Sequence, residues 1–457
     1  MKLLIGLIAV VAIIYISSLD WKRAVKVALV IVVFEGALRK WFLPQASELI
    51  YFLKDFVLLG AYIKYYGCLT LEGKFVIKKN FINLVVFLAA GWCIFQAFNP
   101  SLGSPIIGLF GVKAYLFYTP LIWLIPDLFE SEFELYKFLR TYLLLVIPVG
   151  LLGVVQFFSP ANSVLNIYAP GQEAEGGIAT FSSFARITGT FAYINNYTAY
   201  LLVSFALLIP LLSMKQSPRW MLVTIAEILF VFVNQIMSGS RAPVLGSVLF
   251  LSGYLGIKLF IQPYSALRFI KKFLPSAIVV GTVAFIGFQP ALEAFLQRSS
   301  GNKDVSVRIS ASILEPLQFF QYKDVDGYGT GATQGGGMAL RRMLGLPGGE
   351  QILVGFEAEM GRIALEIGPI GFVLWYLLRF SLMIGLLQVF FKLKTPFLKD
   401  LALAAFLIHA IQFIGQVVTL HTFAVYYWFL SSFIFLLPKL EQMNNFYRRA
   451  QLLQQDV

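Results

Sequence analysis

Arg241 stands in the string Ser238-Gly239-Ser240-Arg241-Ala242-Pro243, between two apolar runs. The string is too short to lift the side chain far from a membrane edge. An arginine at membrane depth costs roughly 2.5–3.5 kcal/mol on insertion scales, and such residues usually face a polar cavity. The Ser and Gly neighbours leave room for a ligand. Arg186 lies in Phe184-Ala185-Arg186-Ile187-Thr188-Gly189-Thr190-Phe191, ahead of Tyr193, Asn195, Asn196 and the next apolar run. Arg308, in Val307-Arg308-Ile309, opens an expected loop helix. Guanidinium is permanently charged and makes two parallel bonds to phosphate oxygens. Arginines from separate segments on one face therefore suit a diphosphate. Lys113 and Arg362 map to the same side and join the candidate diphosphate ligands. The bland alternatives are a helix-end arginine on lipid phosphates, and snorkelling or ion-paired side chains.

Glu357 and Glu359, in Phe356-Glu357-Ala358-Glu359-Met360, offer a carboxylate that takes a proton from a hydroxyl. The candidate catalytic set is Glu357, Arg241 and Arg186. Alternatively, these carboxylates pair with Arg362 or with the arginine cluster. Glu366 is deeper and suits a pair within a bundle. Asp324-Val325-Asp326 matches the D-x-D string of nucleotide-sugar enzymes but falls on the wrong side of the membrane for them. Gly327-Tyr328-Gly329-Thr330-Gly331 lacks the Lys-Ser/Thr of a phosphate loop and reads as a flexible turn. His409 and His421 read as satisfied bundle residues, and Cys68 and Cys93 as small apolar ones. No metal-ligand spacing appears, so neither a metal nor a cofactor is expected.

Membrane helices must position these groups. Hydrophobic residues make up 58% of the chain and charged residues 13%, against roughly 45–50% and 25% in a soluble domain. The charges cluster between apolar runs of about 17 to 25 residues, the length that spans a bilayer as helix. Lipid offers the backbone no hydrogen-bond partner, so these runs must be helical, and they lack the alternation of barrel strands. About thirteen spans are expected, near 3–19, 24–39, 46–63, 81–98, 112–127, 136–157, 196–213, 220–237, 243–260, 272–290, 364–391, 400–418 and 421–438. The first reads as a retained anchor rather than a cleaved signal, because no A-x-A site follows. The organisation is then 1–290 as membrane helices 1–10 with short loops, 291–360 as a large loop, 361–440 as helices 11–13, and 441–457 as a tail.

Orientation follows from Lys and Arg. The loops with Lys22 and Arg23, with Lys74, Lys78 and Lys79, with Lys215 and Arg219, with Arg268, Lys271 and Lys272, and with Lys392, Lys394 and Lys399 share one side. The tail with Lys439, Arg448 and Arg449 joins them, and that side is the cytoplasm. The same rule accounts for the net charge of +12 without nucleic acid. The loop at 128–135 is the exception, being acidic. The outer side holds the segments 40–46, 99–111, 159–195, 238–242 and 291–360, with loop helices predicted at 307–322 and 338–344. Arg39, Lys40, Lys113, Arg186, Arg241, Arg298, Lys303, Arg308, Lys323, Arg341, Arg342 and Arg362 fall there against the rule. A polyanionic substrate would account for them.

The pattern resembles the O-antigen ligase and O-antigen polymerase superfamily of bacterial envelope glycosyltransferases. Three segments carry the resemblance: Arg186–Phe191 with Asn195 and Asn196; Ser238–Arg241; and Arg308 through Gly327-Tyr328-Gly329 to Glu366-Ile367-Gly368-Pro369-Ile370-Gly371. It covers roughly 140–380. It implies an all-α, GT-C-like bundle of about 12–13 spans in the bacterial inner membrane, with one large periplasmic loop. The implied activity is metal-independent transfer of a glycan from undecaprenyl diphosphate to a sugar hydroxyl. Ligases of the family carry a histidine where Glu357 stands, so the expectation leans to a polymerase of lipid-linked oligosaccharide repeat units. Its donor and acceptor are both lipid-linked, membrane lipids surround it, and a chain-length regulator and a flippase are the expected partner proteins. A ligase to lipid A core is the rival enzyme. A transporter or flippase is the rival of another class, and it would place charged residues at the midplane.

Overall fold

The computed structural model describes residues 2–67, 77, 79–170, 178–181, 184–300, 304–323 and 325–455. Helices dominate. The first group is α1 (Lys2–Leu19), α2 (Trp21–Ala37), α3 (Ser47–Tyr51), α4 (Leu53–Gly67) and α5 (Phe81–Gln96). Next come α6 (Pro105–Leu116), α7 (Leu121–Leu124), α8 (Glu132–Leu143) and α9 (Val146–Phe158). The strands β1 (Thr180–Phe181) and β2 (Phe184–Ala185) precede α10 (Ile194–Ser213), α11 (Pro218–Met237), α12 (Arg241–Ile261) and α13 (Pro263–Gly287). The long connection contains α14 (Gln289–Ser300), α15 (Asp304–Phe319) and α16 (Gly335–Leu344). The chain closes with α17 (Glu359–Lys392), α18 (Pro396–Ile411), α19 (His421–Ser431) and α20 (Phe433–Gln455).

Polar residues at the ends of the apolar runs set the boundaries. Asp20, Asn80, Ser104, Ser131 and Ser217 cap helix N-termini with their side chains. Pro105, Pro218, Pro263 and Pro396 sit in the first turn, where a missing N–H costs nothing. Among the described residues, eight helical stretches are long and apolar enough to cross a membrane. The chain is thus a multi-pass membrane protein. Helices stand at all thirteen expected positions, but α2, α4, α5 and α18 have only 17, 15, 16 and 16 residues.

One end of the bundle brings lysines of α2 and α20 against the acidic loop. Lys22 pairs with Glu130 at 2.5 Å, Lys26 with Glu134 at 3.0 Å and Lys439 with Asp127 at 2.5 Å. The acidity of 128–135 is therefore local neutralisation of its lysine neighbours. Two buried pairs, Arg140–Glu227 at 2.6 Å and Lys258–Asp400 at 2.7 Å, lock helices together nearby. Pairing is what makes charge tolerable at such depth. The opposite end carries 38–47, 164–170, 184–195, 238–241 and 412–421, and is called here the site end.

The long run expected at 364–391 is a broken helix. Within α17, Gly368 adopts φ +63° and ψ −177°, a conformation open to glycine. The break frees carbonyls that must find donors. Leu365 O accepts Tyr328 N at 2.8 Å, Glu366 O accepts Gly329 N at 2.8 Å, and Ile367 O accepts the Trp92 indole at 2.9 Å. The glycine string is thus a buried wedge, not the flexible turn its composition suggests. Thr330 and Asn99 tie it to α5 and its C-terminal turn. A Cβ at Gly331 or Gly327 would strike backbone of α6 or of the break. Glu366 accepts from Thr333 N and Oγ1 at 2.9 and 2.7 Å, so it anchors the wedge rather than pairing with a cation.

Candidate functional site

A short β-hairpin delivers Arg186 to the site end. Thr180 and Phe181 of β1 pair with Ala185 and Phe184 of β2, and Phe184 stacks on Phe157 of α9 at 4.4 Å. The segment that follows is stapled from two sides. Gln156 Oε1 accepts Thr188 N and Gly189 N at 3.3 and 2.8 Å. From the other side, Lys40 donates to Thr188 Oγ1 and Gly189 O at 3.0 and 2.7 Å. Thr190 Oγ1 bonds to Val33 O. So fixed, Arg186 Nε donates to Ser238 O at 3.0 Å.

Ser238 begins the turn that ends in Arg241. Gly239, at φ +63°, reverses the chain, and Ser238 Oγ accepts Ser240 N at 3.2 Å. Arg241 is the first residue of α12. The N-terminus of a helix already carries partial positive charge, so an arginine there adds to an excess that an anion relieves. Both arginines are half-buried. Arg186 is thus fastened to the turn that leads into Arg241, across fifty-two positions of the chain.

The other candidates go elsewhere or fall outside this geometry. Arg308 lies on α15, and its side chain is outside the described residues, as are Asp324 and Cys68. Lys113 pairs with Asp55 at 2.8 Å, inside a buried network that sequence reading missed. In that network Glu35 holds Lys54 at 2.7 Å and Arg39 at 3.6 Å. Tyr118 donates to Asp55 at 2.5 Å, and Tyr51 bonds to His421 Nδ1. The outward surplus of Arg39, Lys40 and Lys113 is thereby largely absorbed by carboxylates and carbonyls. His421 joins α19 to this network through Tyr51, and Asn196 bonds Thr422 at 2.8 Å. His409 is fully used, between Ala405 O and Ser431 Oγ.

Glu357 and Glu359 have separate fates. Glu359 is 2% exposed and accepts Val417 N, Val418 N and Thr419 N at 2.8, 2.9 and 3.0 Å. It pairs with Arg379, not with Arg362. Glu357 is exposed, and its neighbours include Glu315 of α15, whose Oε2 accepts Ala358 N at 3.3 Å. Burial raises the Glu315 pKa, and the Glu357 charge adds to this against the Ala358 N–H and Arg362. Arg362 itself lies over the Phe356 ring at 5.1 Å. Two carboxyls and a guanidinium thus meet where α15 packs on the start of α17. Glu315 gave no sequence signal, because nothing but the α15–α17 packing places it beside Glu357.

No known family model matches the chain, and no curated protein is significantly similar to it in sequence.

Proposed function

We propose that the chain is a membrane glycosyltransferase that polymerises undecaprenyl-diphosphate-linked oligosaccharide repeats into an exopolysaccharide or O-antigen. The reading takes the fold as a GT-C-like bundle of about 12–13 passes in a bacterial inner membrane, with 291–360 as a periplasmic loop. The observation that carries it is the hydrogen bond from Arg186 to the Ser238 carbonyl, on the turn that leads into Arg241, at the end opposite the ion pairs of Lys22 and Lys439. In the reaction, an acceptor hydroxyl attacks the anomeric carbon of the donor sugar. The new C–O bond forms as the bond to the lipid diphosphate breaks. Arg186 and Arg241 stabilise the charge that develops on the leaving diphosphate, with Arg308 as a further ligand. Glu357 takes the hydroxyl proton, and Arg362 orients the Glu357–Glu315 pair. Lys113, held by Asp55, acts in the scaffold that positions the Arg186 segment.

The test is elongation by purified protein from lipid-linked repeats. Arg241→Ala should abolish chain extension while leaving the protein in the membrane. Full-length polymer from that variant overturns the reading. Full-length lipid-linked polymer that accumulates untransferred, with extension intact, would assign ligation instead.

A further inference from the structure

A cavity of about 150 Å³ lies between α11, α13 and α14. Its wall includes Phe232 and Ile236 of α11, Gly281, Ala284 and Phe285 of α13, and Leu292 of α14, and every residue lining it is apolar. An apolar void of this size stays dry and accepts a benzene-sized group. Left empty, it forfeits the packing contacts of its lining.

The cavity is adjacent, along the chain and through packing, to the segments that carry Arg186 and Arg241. Ile236 stands two positions before Ser238, whose carbonyl holds Arg186. On the other side, α14 packs against β1, and β1 pairs with the strand that ends at Ala185. Two of the three walls therefore lead directly into the segment that presents the guanidinium groups. The third wall, α13, turns Ile278, Val279 and Ile286 outward with exposures of 60%, 54% and 73%, as a lipid-facing helix does. An apolar chain can thus enter from the bilayer while its charged end stays with the arginines.

We propose that this cavity holds the first five or six carbons of the apolar chain of a lipid diphosphate whose headgroup lies on Arg186 and Arg241. The inference rests on the reading of those arginines as diphosphate ligands. It adds that the protein grips the chain as well as the charge, beside the headgroup and not only through the surrounding bilayer.

The experiment uses the full chain in phosphatidylcholine nanodiscs and measures binding of inorganic diphosphate and of geranyl diphosphate. The wild type should prefer geranyl diphosphate by about a hundredfold to a thousandfold, since each buried methylene adds a factor of roughly three to four. Gly281→Leu adds a side chain at the cavity wall without striking a neighbour, because a Cβ at Gly281 meets nothing within 4 Å. Gly281→Leu should erase the preference and leave inorganic diphosphate binding unchanged. Ala284→Leu is the second variant, with the same expectation. A preference that survives in both variants overturns the inference while sparing the arginines. A wild type without preference overturns it too, and assigns the cavity to bulk phospholipid. Inorganic diphosphate binding that survives Arg241→Ala instead overturns the reading of the arginines on which the inference rests.

Discussion

Removing the Glu359 carboxylate should loosen the loop that joins α18 to α19, and the size of the effect follows from its partners. Glu359 and Arg379 are each 2% exposed and pair at 3.3 Å. The carboxylate also holds the amides of Val417, Val418 and Thr419 and the Thr419 hydroxyl. Arg379 reaches the carbonyls of Gln412 and Gly415 from the same side. One ion pair therefore clamps both halves of the 412–420 loop. Breaking such a pair by deleting one member costs about 3–5 kcal/mol, because the other charge stays buried and alone. Glu359→Gln keeps an acceptor but loses the charge, and should cost about 1.5–3 kcal/mol, the worth of a charge-assisted bond.

The assay is thermal unfolding of detergent-solubilised protein for Glu359→Ala, Arg379→Met and the double variant. The double variant should be more stable than the sum of the single losses by at least about 1 kcal/mol, since residues in one network are coupled. Additive losses, or a wild-type melting curve for Glu359→Ala, would refute the clamp. Either result would return Glu359 to the candidate bases alongside Glu357.

Two further outcomes are expected. Gly36→Ala would drive a Cβ to 2.1 Å from Ala192 N, a backbone atom that cannot swing aside. Overpacking of this kind costs about 1–3 kcal/mol, and relief requires the Arg186 segment to leave α2. Polymer extension should fall with the protein still in the membrane, and normal chain lengths would refute that coupling. Glu315→Gln should change the acid limb of stability. The raised Glu315 pKa comes first from burial and then from Glu357, so the folded carboxyl keeps its proton after an unfolded one, near about 4.3, has lost it. Its stabilising contribution is full below the unfolded value and is lost as pH rises through the folded one. Unfolding followed from acid towards neutral pH should lose this dependence in Glu315→Gln, and an unchanged profile would show that the carboxyl does not titrate in that window.

What could be read from the chain depended on whether a residue's meaning was local. The place of Arg241 at a helix end was legible because a guanidinium between two apolar runs has few cheap places to go. The Arg186 loop was legible because it interrupts an apolar pattern. Lys54 and Asp55 were not, because they sit inside a run that is otherwise a membrane span, and their partners Glu35 and Lys113 arrive from α2 and α6. No spacing along one helix announces a pair made between helices. The glycine string misled for a related reason. Positive φ serves a loose turn and a buried wedge equally well, and the deciding partner is the break at Gly368, thirty-seven residues beyond Gly331. Glu357 and Glu359 differ by two positions and look alike in sequence. Helix α17 begins at Glu359 and turns its carboxylate into the bundle, leaving Glu357 at the surface beside Glu315. Which of the two carboxylates stays exposed is thus decided by where α17 starts, and the surrounding string of residue types does not reveal that point.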